Sequence, residues 1–186
     1  MAFIGTPNDP ELFAANRAPA GHVPNFVHTF AARPAVYEAW KQLNGAIKES
    51  MDLRRYELAT LAAATALKSS YCSLAHGQIL ADKFYTAEEV AALVDEPAND
   101  PVDRAVMAFA RQIALAADTV TQADVDALKA VGLTDADVLD VALAAAARAF
   151  FSKTLDATGT QPDEAFNGLP ETLRKALTVG RPIYSG

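Results

Sequence analysis

Cys72 and His76 stand four residues apart, and they are the pair in this chain best suited to covalent chemistry. On a helix that spacing puts both side chains on one face, a turn from each other. A cysteine attacks as its thiolate, and an imidazole within reach can take the proton. Ser69 and Ser70 fall where a helix would be capped, which places Cys72 in its first turn. The unpaired amides and positive dipole end of such a turn favour an anion. Glu57, from the preceding helix, has little reason to stand among Leu58, Leu61 and Ala62 unless a charged or hydrogen-bonding group faces it. Carboxylate, imidazole and thiol then read as orienter, base and nucleophile. Tyr71, beside the thiol, could offer its O–H to a substrate or join a proton relay.

Bland readings stand beside these. A lone cysteine in a helix is commonly a small buried hydrophobe, and i,i+4 Cys–His pairs arise by chance. One cysteine and one histidine are too few for a metal site, so no metal and no cofactor are expected. His22 and His28 read as backbone hydrogen-bonding residues. Asp135, Asp137 and Asp140 read as acids complementing a helix dipole.

The elements that must position the pair are helical throughout. Pro34 suits the first turn of a helix to about Glu49, with Val36, Trp40, Leu43 and Ile47 on one stripe. Asp52 caps a helix through Leu67, and the Cys72 helix follows to about Lys83. Thr86-Ala87-Glu88-Glu89 is a capping box for a short helix to Val94. Asp100-Pro101 opens another, with Val102, Val106, Phe109 and Ile113 at helical spacing. Thr121 begins a helix to Val131 ended by Gly132, and Thr134 one from about Asp135 to Ala157 ended by Gly159. Pro170 to Val179 suits a last helix. No stretch alternates with period two, so the class is all-α, with close packing through abundant alanine. An offset of 83 residues aligns Glu57 with Asp140, Ala62-Ala63-Ala64 with Ala145-Ala146-Ala147 and Ser69 with Ser152, which suggests two similar helical halves. The domain reading is an N-terminal arm over residues 1–33, a helical core over 34–160, and a C-terminal helix and tail over 161–186.

The totals narrow the class of partner. At 186 residues the chain holds ample core, and 51% apolar with 21% charged residues is a globular composition. A net charge of −7 without a basic cluster argues against nucleic acid. The longest apolar tract, Val138 to Phe151, carries Asp140 and Arg148 and is too short to span a bilayer. A single cysteine forms no internal disulfide, and the N-terminus lacks a basic region followed by an apolar run. The expectation is a cytoplasmic protein.

Glu57-x11-Ser69-x2-Cys72-x3-His76 resembles the motif of the alkylhydroperoxidase D-like / carboxymuconolactone decarboxylase superfamily, in which a Glu precedes Cys-x-x-Cys and then x3-His. Gly21-His22-Val23-Pro24-Asn25-Phe26, Arg55-Tyr56-Glu57-Leu58 and Tyr71-Cys72-Ser73-Leu74-Ala75-His76-Gly77 extend the resemblance over about residues 20–160, closest to peroxidase-related members of this length. The resemblance implies an all-helical bundle assembled as trimers or hexamers, with Cys72 as peroxidatic cysteine, His76 as relay histidine and Glu57 as the carboxylate behind it. Tyr71 replaces a histidine of the best-characterised peroxidases. Ser69 stands where the resolving cysteine belongs, and the chain has no other. A dithiol cycle within one protomer is therefore impossible. Three functions remain open: a one-cysteine peroxidase acting on a hydroperoxide and reduced by an external thiol or redox protein; a decarboxylase or isomerase of a small carboxylated lactone, whose carboxylate Arg54, Arg55 or Arg148 would bind; and a non-enzymatic protein with a relic site.

Overall fold

This computed structural model describes residues 2–19 and 21–186; Met1 and Ala20, both within the expected arm, lie outside the described residues. Among the described residues there are ten α-helices, two 3₁₀ turns and no strand. The all-α reading holds. In chain order the helices are α1 (Pro10–Ala15), α2 (Asn25–Phe30), α3 (Pro34–Glu49), α4 (Leu53–Ala66), α5 (Ser70–Lys83), α6 (Ala87–Asp95), α7 (Pro101–Ala116), α8 (Gln122–Ala130), α9 (Asp135–Ala157) and α10 (Glu171–Leu177). No helix of the described residues is long and apolar enough to cross a membrane.

Helix α4 is the centre. Every residue from Tyr56 to Ala64 is buried, because α5, α7 and α9 all pack against it. Ala59, Ala62, Ala63 and Ala64 present so little side chain that three helices approach at once. Leu58 and Leu61, both fully buried, contribute about 1.5–3 kcal/mol each through apolar burial. The helix starts are those the capping residues specify. Asp52 accepts from Arg55 N–H, Asp100 from Val102 and Asp103 N–H, and Thr86 and Thr134 form capping boxes with Glu89 and Asp137.

The stripe expected on α3 is rotated. Val36 and Leu43 are exposed, and the buried face is Tyr37, Trp40 and Ile47. Aromatic packing decides this: Phe151 of α9 stacks on Trp40 and on Phe30, and Phe30 stacks on Tyr37. Those rings bury more apolar area than Val36 and Leu43 could. Residues of the N-terminal arm are also part of the core, with Val27 and Phe30 buried inside it. The 83-residue repeat aligns α4 with the first part of α9 and goes no further. Where the first copy breaks before Ser69, α9 runs unbroken through Ser152.

That break is a Schellman motif. Ser69 N–H donates to Ala64 C=O (2.9 Å) and Lys68 N–H to Thr65 C=O (3.0 Å), with Lys68 at φ 56°. Lysine is an unusual occupant of this left-handed position, which costs a side-chain-bearing residue about 1–2 kcal/mol. The C-terminal segment covers the same corner. Gly180 N–H donates to Ser70 Oγ (2.8 Å), and Leu177 of α10 rests where Gly77 of α5 has no side chain. Lys68→Gly should therefore raise the unfolding free energy by about 0.5–1 kcal/mol, after the entropic cost of glycine, in chemical denaturation.

Candidate active site

Helices α4 and α5 meet at the Schellman corner, and their geometry assembles the motif. Glu57, completely buried on α4, takes the Nδ1 of His76 on its Oε2 at 2.5 Å. Lys48 of α3, with its side chain partly in solvent, brings Nζ to 3.4 Å from Oε1 of the same carboxylate. Burial favours the protonated acid, but the His76 hydrogen bond and the charge of Lys48 outweigh it and hold Glu57 below its ordinary range. An ionised Glu57 requires the His76 proton on Nδ1, which leaves Nε2 as a lone pair. Burial, followed by the nearby Arg148 charge, pushes His76 down to about 4 against the pull of Glu57, so the imidazole is neutral at neutral pH.

Cys72 is the third residue of α5, with Ser69 at the N-cap. Cys72 is 2% exposed and, with His76, lines a cavity of about 320 Å³. The walls are aromatic: Phe26 of α2, Tyr37 and Trp40 of α3, Tyr71 of α5 and Phe151 of α9. Arg148 of α9 closes the floor, its Nη1 3.4 Å from Cys72 Sγ. Cys72 and His76 thus line one cavity, and Glu57 stands buried behind His76.

Tyr71 and Ser69 are placed otherwise. Tyr71 contributes its ring to the cavity wall, but its hydroxyl donates to Asp163. Burial and then the Asp163 carboxylate push that phenol far above its ordinary range, so it supplies no proton at neutral pH. The role expected for it as donor or relay gives way to that of a pin. Asp163 also accepts from Asn25 N–H (2.7 Å) and lies 3.8 Å from His22 Nε2, tying the arm, α5 and the C-terminal segment together. Ser69 does not line the cavity. Its buried hydroxyl faces Asp156 without a hydrogen bond of ordinary geometry. His22 and His28 do not serve the backbone role expected of them: His22 faces Asp163, and the His28 ring packs on Phe13.

Of the arginines considered as carboxylate binders, Arg54 pairs with Asp103 and Arg55 with Asp137, both away from the cavity. Only Arg148 reaches it. Lys48, Asp163 and the contact between Arg148 and Cys72 were not legible in the sequence, since Asp163 and Arg148 come from elements distant along the chain and the approach of Lys48 to Glu57 depends on the rotation of α3. Among the described residues no cluster of three or more His, Cys, Asp or Glu side chains could hold a metal ion.

Residues 34–112 match the carboxymuconolactone decarboxylase family. Among solved structures, the chain is similar to an uncharacterised peroxidase-related protein from Ralstonia eutropha JMP134, an alkylhydroperoxidase D core. The identity is 25%, the TM-score 0.77, and the match covers 89% of this chain and 94% of that one. A peroxidase-related protein from Silicibacter sp. TM1040 is 20% identical with a TM-score of 0.78, over 90% and 94% of the two chains. The debrominase Bmp8, in a cysteine-to-alanine variant bound to 2,3,4-tribromopyrrole, is 17% identical with a TM-score of 0.76, over 93% and 97%. The last two likenesses establish the fold alone. Comparison with curated proteins finds no match. The chain carries a carboxymuconolactone decarboxylase-family segment in an alkylhydroperoxidase D-like helical fold.

The depressed His76 has a consequence for stability. Between the ordinary 6.5 and about 4, an unfolded chain binds a proton at His76 that the folded protein refuses. Stability contributed by the neutral imidazole is complete above 6.5 and lost as pH falls toward 4, by at most about 3 kcal/mol. The lowered Glu57 acts in the same direction. Unfolding free energies should fall over that window in wild type and fall less in His76→Asn, which keeps a donor for Glu57; parallel curves would remove His76 as the cause.

Proposed function

We propose that the protein is a one-cysteine peroxidase that reduces an organic hydroperoxide at Cys72. The observation that carries this reading is the joint placement of Cys72 and a neutral His76, oriented by Glu57, on one aromatic-walled cavity. A hydroperoxide enters the cavity and the sulfur attacks its terminal oxygen. The S–O bond forms as the O–O bond breaks, so sulfur is oxidised by two electrons and the peroxide is reduced to an alcohol. His76 Nε2 accepts the proton released at the reacting centre and returns it to the departing alkoxide, while Glu57 steadies the charge on the ring. Cys72 ends as a sulfenic acid. With serine at position 69 and no second cysteine, two equivalents of an external thiol return it to the thiol, yielding a disulfide of that reductant and water.

A second reading is favoured by the aromatic walls: thiol chemistry on a flat halogenated ring, in keeping with the debrominase neighbour. The lactone reading has less support, because Arg54 and Arg55 are engaged elsewhere and Arg148 stands against Cys72. We place the protein in the cytoplasm. Assembly of several copies is in keeping with the exposed Leu139, Leu143 and Phe150 on α9.

Brief treatment with a near-stoichiometric organic hydroperoxide and a sulfenic-acid trap should give one adduct by intact mass, absent in Cys72→Ser. No adduct in the wild type would end the peroxidase reading and turn the search to halogenated aromatics. Glu57→Gln should slow formation of the hydroperoxide-derived adduct about tenfold while the protein stays folded by circular dichroism, because the amide no longer fixes the His76 proton on Nδ1. An unchanged rate would remove Glu57 from the mechanism.

A further inference from the structure

We propose that Arg148 is a catalytic residue, the counter-ion that holds Cys72 as a thiolate in the resting site and as a sulfenate after oxidation. The proposal rests on Cys72 being the nucleophile. Arg148 lies outside the Glu–Cys–His motif, 76 positions along the chain from Cys72, and is delivered by α9.

Three observations carry it. First, Arg148 is 4% exposed, and its Nη1 makes the 3.4 Å contact to Sγ. Secondly, no carboxylate among the described residues pairs with it. Arg54, Arg55 and Arg181 have aspartates, and the remaining described arginines donate to backbone carbonyls. Arg148 has only Cys72 and the Tyr56 hydroxyl, and its Nε is buried without an acceptor. The rings of Trp40 and Phe151, 5.8 and 5.6 Å from the guanidinium carbon, hold it in place but carry no net charge.

Thirdly, Arg148 has an anion in contact only if sulfur is negative. The Glu57 carboxylate from α4 is matched by Lys48 from α3. His76 from α5 is neutral. Tyr37 and Tyr71, both raised by burial, are neutral phenols, and Lys41 pairs with Glu38. Arg148 is then a buried positive charge with no anion in contact, a state disfavoured away from water. A thiolate at Cys72 cancels it, and the first turn of α5 supports the same anion.

With the thiol proton already gone, the reaction is thiolate plus hydroperoxide giving sulfenate plus alcohol. The S–O bond forms and the O–O bond breaks. The hydroperoxide's own proton passes over His76 Nε2 to the leaving oxygen, and the negative charge stays beside Arg148. His76, neutral at rest, has Nε2 open to take up that proton transiently.

The test is the pH titration of the ultraviolet thiolate absorbance, taken as a difference against Cys72→Ser, together with iodoacetamide alkylation rates. Wild type should carry a thiolate at neutral pH. Arg148→Met should move the titration midpoint up by about one unit or more and slow alkylation at neutral pH about tenfold. Arg148→Gln gives the same comparison should the methionine variant fail to fold. Absence of a thiolate in neutral wild type, or a midpoint unmoved in either folded variant, would overturn the proposal. An Arg148-dependent thiolate that does not react with hydroperoxide would leave Arg148 in this role and defeat the peroxidase reading instead.

Discussion

The hydrogen bond between Glu57 and His76 joins the two helices around which the others are arranged, and it does so where water does not reach. A carboxylate inside an alanine-lined helix core is tolerated only with partners of opposite charge or strong donors. Glu57 has both, an imidazole N–H on one oxygen and an ammonium near the other. This fixes the relative rotation of α4 and α5, since a turn of either helix would leave the carboxylate unpaired. It also fixes the imidazole tautomer, and so makes Nε2 the group presented to the cavity.

The remaining walls follow from that constraint and from the size of the rings around it. Alanines on α4 let α9 come close, and α9 then carries both Phe151 and Arg148 to the cavity. Phe151 serves as the meeting point of Phe26, Phe30 and Trp40, so the short helix α2 and the long helix α3 are fastened over the site by aromatic contact. The Tyr71 hydroxyl, bound to Asp163, ties that wall to the C-terminal segment. The site is therefore built from both ends of the chain, although its motif occupies a short middle stretch.

Helix starts and stops were legible because capping is local chemistry. Asp52, Thr86, Asp100 and Thr134 each satisfy backbone amides within three residues, so their meaning does not depend on the rest of the fold. The buried face of α3 was less legible. Val36 and Leu43 share the helical period with Trp40 and Ile47, and only the arrival of Phe30 and Phe151 shows which of two adjacent stripes faces inward. The repeat was misleading for a similar reason. Alanine-rich helices look alike, but the Lys68 turn that separates α4 from α5 has no counterpart in α9.

The sequence by itself determined the all-helical class and the capped helix boundaries, and it singled out Glu57, His76 and Cys72 as candidates, because these depend on spacing within one or two adjoining helices. It also settled, through Ser69, that no second thiol stands in the motif. Only the tertiary structure decided what surrounds them. Asp163 on Tyr71 and Arg148 against the sulfur are long-range choices, and Lys48 behind Glu57 is set by the rotation of the preceding helix. A charge becomes informative when burial strips it of water, and burial is a property of the assembled fold rather than of any stretch of chain.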